Sequence, residues 1–136
     1  MATPPSTIQP IFQALIRTLR TNATLKAAVA GFYEGAAPAG TAYPYVTYHL
    51  AGGGDSWEWG DVTKKPIVAV QVWGDDQVEA RNLDQLILDT LWDAELSIDQ
   101  QSTLLCRRTS DISNANAEGS GQKVYQNGGM YRIWSA

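Results

Sequence analysis

A single cysteine, Cys106, and a single histidine, His49, are present among 136 residues. One cysteine excludes a disulfide framework and a zinc site built on thiolates. His49 has no partner at metal-ligand or catalytic-pair spacing, so it reads as an ordinary strand residue. Charge is also scarce: 18% of residues are charged, against roughly 25% in an average globular chain. The pI is about 4.8 and no Lys/Arg cluster occurs. That excludes a nucleic-acid reader, whose binding is built on phosphate neutralisation. No apolar run approaches the ~18 residues of a membrane span. Met1-Ala2-Thr3-Pro4-Pro5 lacks the basic region and apolar stretch of a secretory signal, so a chain that stays in the cytoplasm is expected.

The motifs of catalysis are missing too. Gly52-Gly53-Gly54 is not followed by the Lys-Ser/Thr and helix that a phosphate loop needs, and reads as a turn. No G-x-S-x-G nucleophile motif occurs. Asp75-Asp76 lacks the further oxygen ligands of a hard-cation site and fits helix capping. Cys106 sits in an alternating strand and reads as a small packing residue. The expectation is no enzyme, no cofactor and no metal site.

What is present is pattern. Apolar residues make up 44% of the chain, enough for one domain over residues 1–136. Residues 1–7 read as an extended Pro-rich arm. Ser6 with Gln9 forms a plausible capping box, and Ile8, Ile11, Phe12, Leu15 and Leu19 then share one helical face. Asn22 caps a short second helix closed by Gly31. After a small-residue loop, Tyr43-Pro44-Tyr45 opens a strand of period two. Residues 55–66 read as a flexible polar loop. Ile67–Trp73 is apolar on both faces apart from Gln71 and predicts a central strand. Gly74-Asp75-Asp76 turns into a helix to about Trp92, with Ala80, Leu83, Ile87, Leu91 and Ala94 on its core face. Strands follow at 103–109 and 130–135, the latter with Val124 as an alternative start, with a flexible loop at 110–121 between them and a turn or bulge at Asn127-Gly128-Gly129. The fold class is α+β: an antiparallel or mixed sheet of about four strands, with two to three helices on one face.

Two features exceed what a solitary chain needs. Leu88 and Trp92 form an i,i+4 pair pointing away from the core face, and Trp57 and Trp59 sit in the polar loop. Tryptophan anchors interfaces because it buries large area with few rotors, so these four are candidate interface residues. The charge is also unevenly placed. Residues 55–99 carry three bases and eleven acids, a net −8, between two flanks of +2 each. Helix-rim acids account for part of this band. Asp55, Glu58 and Asp61 in the Trp loop are the part of the band that a helix rim leaves over.

The ordered set of motifs resembles the tail terminator, or tail-completion, proteins of long-tailed bacteriophages. An N-terminal helix is followed by TLKAAVAGFYEG (Thr24–Gly35), a Gly/Ala/Pro loop and a Y-P-Y-V-x-Y strand (Tyr43–Tyr48). Then come VQVWGDDQVEARNLDQLILDTL (Val70–Leu91) and a closing GMYRIWSA. The likeness covers nearly the whole chain and rests on packing patterns; the 55–66 and 110–121 segments are its least family-like parts. It implies a virion protein of the head–tail neck, forming a hexameric ring that caps the tail tube and ends its polymerisation. Such a ring meets the head-completion proteins around the DNA channel, and DNA passes without specific binding. Leu88 and Trp92 would then meet the next subunit, the Trp loop another ring, and the acids the channel. A head-completion or stopper ring is the nearest alternative. A minor capsid or baseplate adaptor and an α+β ligand-binding module lie further off.

Overall fold

A computed structural model describes residues 8–52, 55–58, 61–64, 67–92, 94–98, 102–117 and 123–135. The 1–7 arm and Ser6 of the capping box lie outside them. Helix α1 spans Ile8–Arg20, and its stripe of Ile11, Phe12, Ala14, Leu15, Ile16 and Leu19 is buried. Arg17 and Arg20 in its last turn complement the helix dipole. Asn22 starts α2 (Ala23–Ala28): its Oδ1 accepts from the Leu25 N–H at 3.1 Å. Its Nδ2 donates to Thr90 Oγ1 at 3.0 Å, tying α2 to the third helix. α2 ends at Val29 rather than Gly31, where the Val29 N–H reaches the Leu25 carbonyl at 3.2 Å.

The strands are β1 (Phe32–Glu34), β2 (Tyr45–Gly52), β3 (Asp55–Glu58), β4 (Asp61–Lys64), β5 (Ile67–Gly74), β6 (Ala94–Ile98), β7 (Ser102–Ala117) and β8 (Lys123–Ser135). Helix α3 (Gln77–Leu91) follows β5, capped by Asp76, whose carboxylate accepts from the N–H groups of Val78 and Glu79. The main sheet has six strands in the order β1-β2-β5-β8-β7-β6. β1 runs parallel to β2 and every other ladder in it is antiparallel. The α+β class and the mixed sheet are as the periodicity implied, and β5 is central. β1 and β6 bring the strands beyond the expected four. They are short edge strands, and three to five residues carry too little alternation to stand out.

Side chains on a strand alternate between faces. Val46, Val68, Val70, Val72, Cys106, Tyr131 and Ile133 therefore meet Leu15, Leu19, Ala80, Ile87 and Leu91 in one core. Each fully buried aliphatic side chain there is worth about 1.5–3 kcal/mol. The opposite face carries Thr47, which accepts from Trp73 Nε1 at 2.8 Å, and Gln71, which accepts from Gln126 Nε2. Tyr45 stacks between Tyr43 and Trp73, with centroids 5.4 and 6.3 Å away.

Several sequence expectations are corrected. The 55–66 segment is not simply a loop: β3 and β4 pair as a two-stranded sheet of their own. Nor is 110–117, where β7 continues to Ala117 in register with β8, while 118–121 lie outside the described residues. Its Ser, Asn and Ala side chains need no apolar face, since the β8 ladder satisfies the backbone on that side. Asn127-Gly128-Gly129 is not a turn but lies inside β8, opposite Val72, Gln71 and Val70. A Cβ on Gly128 would strike the Val70 carbonyl, so the close approach of β5 and β8 requires glycine. Ala94 belongs to β6 rather than to the α3 stripe.

Candidate assembly surface

α3 buries Ala80, Leu83, Ile87 and Leu91. Leu88 is half-buried and packs against the core's margin, while Trp92 is 49% exposed. The pair is stacked one turn apart, and Trp92 caps the helix by donating its N–H to the Leu88 carbonyl at 2.8 Å. The Arg107 guanidinium lies over the Trp92 ring, 5.4 Å from its centroid, a cation–π contact that fixes the indole.

Beside this pair opens a groove of about 580 Å³ lined by Leu88, Asp89, Trp92, Arg108, Thr109, Ser110 and Asp111. Its far wall is β7. β6 pairs with β7 only over Ser102–Cys106, so among the described residues the Ser110–Ala117 stretch has a strand partner on the β8 side alone. Unpaired N–H and C=O groups of this kind are a template for another strand. The groove thus joins an exposed tryptophan to a free backbone edge.

Arg108 holds the two walls together. Its guanidinium donates to both carboxylate oxygens of Asp84 on α3, one at 3.0 Å, and to the Tyr131 hydroxyl at 2.7 and 3.1 Å. A second acid, Asp111, accepts from it at 3.3 Å. Burial opposes the guanidinium's charge, but the Asp84 and Tyr131 contacts outweigh it and hold the group firmly protonated. Burial first of all pushes the Tyr131 hydroxyl up. Gly129 makes room: a Cβ there would meet the Arg108 side chain. Sequence reasoning missed this cluster, since Arg108 lies 24 residues from Asp84 and 23 from Tyr131. A mid-strand arginine following the apolar run Leu104–Cys106 was the available signal.

The other candidates are dispersed. Trp57 sits in β3 opposite Val62, and Trp59 lies outside the described residues. Asp55 is in register with Lys64, and Glu58 with Asp61, so the hairpin's acids are interleaved with a base. Of the α3 acids, Asp76 caps the helix, Asp84 binds Arg108 and Asp89 accepts from Gln85. His49 is exposed on β2, apart from the groove. Burial pushes the Cys106 thiol up to about 12, which suits a packing residue and not a nucleophile. Among the described residues no group of three His, Cys, Asp or Glu gathers as a metal site, and no helix is long and apolar enough to cross a membrane.

The profile of the family described as "Tail completion protein gp17" matches residues 13–126. The chain belongs to this family. No curated protein matches it. A solved structure described as "Virion of native gene transfer agent (GTA) particle" contains a chain of similar fold. The TM-score is 0.70, the identity 17%, and the match covers 91% of this chain and 93% of that one. Membership makes this a tail completion protein, in a structural family that is not a known class of enzymes, and the likeness to the virion chain is one of fold. It also gives the groove a context, since tail completion is an assembly task.

Proposed function

We propose that this chain is a tail terminator. Its copies close into a ring, hexameric as the resemblance implies, that caps the tail tube, ends its polymerisation and docks to the head-completion proteins in the virion neck. Assembly takes place in the bacterial host's cytoplasm, and no residue performs chemistry. The observation that carries the reading is the half-exposed Trp92 above an open groove at a free sheet edge, in a chain of a tail completion family. An indole fixed by Arg107 and Leu88 enters an interface at little further cost in side-chain entropy.

In this reading Leu88 and Trp92 bind the neighbouring subunit. The β3–β4 hairpin, with Trp57 and Trp59, reaches the next ring along the neck. Asp55, Glu58 and Asp61 border the channel and keep DNA phosphates from sticking. The test is negative-stain imaging of the protein mixed with tail tubes. Tubes of uniform length with one capped end support the terminator. Bare tubes, with the protein instead bound at portal-side connectors, would make it a stopper.

A further inference from the structure

The groove's counterpart is on the same molecule. Leu50 on β2 is 46% exposed, one of the few large apolar side chains so open among the described residues. It pairs with Val68, Val68 with Tyr131, and Tyr131 with Arg108. Leu50 and the Arg108 groove therefore end one cross-strand row, on one face, at opposite edges of the sheet. At that level β2 and β7 are the outer strands, because β1 covers only Val46–Tyr48 and β6 only Ser102–Cys106.

The two edges are complementary steps. On one side β1 projects beyond β2 along Val46–Tyr48, and β2 is recessed from His49 to Gly52. On the other, β7 is recessed from Arg107 onward and β6 projects below it. Through Val70 and Gly129, Tyr48 is level with Asp111. So a β1 brought from outside falls beside the recessed stretch of β7 that begins at Asp111. Direction agrees as well. β2, β5, β8 and β7 alternate, and β1 runs with β2, so an incoming β1 would lie antiparallel to β7 and continue the ladder.

Charge agrees with shape. The hollow under the β1–β2 edge is lined by Phe12, Ile16, Arg17, Arg20, Glu34 and Tyr48, where arginine outweighs acid. In the β7 groove Arg108 is shared by Asp84 and Asp111 and Arg107 lies over Trp92, so with Asp89 the three acids exceed the two arginines by one. Contact between unlike surfaces of identical subunits is heterologous and generates rings when the rotation closes.

We propose that the β7 groove receives the β1–β2 edge of a second copy of this chain, head to tail, with β1 beside the Asp111 stretch and Leu50 against Leu88 and Trp92. This rests on the ring reading above and names the two surfaces that make the ring.

The test uses the purified full-length chain with Leu50→Cys and Trp92→Cys, both at half-exposed positions, and a short bis-maleimide linker. Buried Cys106 stays unreactive, as wild type treated in parallel verifies. Each single variant alone should give no linked dimer, their mixture should give dimers, and the double variant a ladder ending in a closed ring. A linked dimer from either variant alone means a two-fold contact and overturns the proposal. Rings in light scattering from the mixed Leu50→Cys and Trp92→Cys variants without Leu50–Trp92 linkage also overturn it, leaving the ring reading intact and the groove to another partner. Wild type that assembles neither alone nor on tail tubes sinks both. Independently of the linker, Arg17→Glu with Arg20→Glu should weaken assembly about tenfold. Adding Asp89→Lys with Asp111→Lys should restore most of it; no recovery in folded protein counts against the pairing.

Discussion

Arg108 offers the sharpest quantitative test, because two acids touch it in very different surroundings. Its side chain is 8% exposed and that of Asp84 16%, while Asp111 is 80% exposed. Replacing Asp84 with alanine leaves a buried guanidinium without its main counter-charge. Such a broken pair costs about 3–5 kcal/mol, and the surviving Tyr131 and Asp111 contacts place this case near about 3 kcal/mol. For a domain of this size that is a fall in Tm of roughly 10–15 °C. Asp111→Ala removes an exposed partner of the same arginine and should cost about 0–1 kcal/mol, shrinking further in high salt. Thermal and urea unfolding followed by circular dichroism measure both. Equal losses for the two variants, or a loss below about 1 kcal/mol for Asp84→Ala, would refute the claim that burial sets the strength of this cluster. The consequence reaches the assembly surface, since Arg108 joins α3 to β7. Asp84→Ala should also weaken assembly at temperatures where the variant remains folded.

Three further outcomes follow from the same geometry. Leu88→Asp combined with Trp92→Asp should leave a folded chain that no longer assembles; unchanged rings in light scattering would remove these two residues from the interface. Deleting residues 56–65 should spare the six-stranded sheet, whose ladders do not include β3 or β4, yet block head–tail joining. Normal infectious titre from phage carrying the deletion would contradict the role given to the hairpin. Cys106 should resist thiol reagents in the native protein and react on unfolding. Its folded pKa lies above the unfolded value, so the stability it supplies is complete below about pH 9 and declines as pH rises towards about 12. Cys106→Ala should flatten that decline, and an unchanged pH profile would argue against it.

The long elements were legible because each carries its own period. The 3/4 spacing of Ile11, Phe12, Leu15 and Leu19, the alternation from Tyr45 to Leu50 and the apolar run 67–73 state their partners' surface type before any partner is known. Caps were legible for the same local reason: Asn22 and Asp76 act on N–H groups two or three residues away. β1, β6 and the outer half of β7 were not. Their residues are held by backbone ladders to strands elsewhere in the chain, and a backbone hydrogen bond leaves no mark in side-chain type. The hairpin β3–β4 hid in a polar segment in the same way.

The sequence by itself determined the α+β class, the family resemblance and the displacement of Trp92 from the α3 stripe, while Leu88, expected to point away with it, packs against the core's margin. Only the tertiary structure decided what that displacement makes. It set α3 against β7 through Arg108, ended the β6–β7 ladder at Cys106 so that β7 kept an open edge among the described residues, and put Leu50 level with that edge on the far side of the sheet. The reason is range. Periodicity and capping act over a few residues, whereas the groove and its matching step are made by strand register, which along the row Leu50–Val68–Tyr131–Arg108 relates residues 18, 63 and 23 positions apart and is fixed only when the sheet closes.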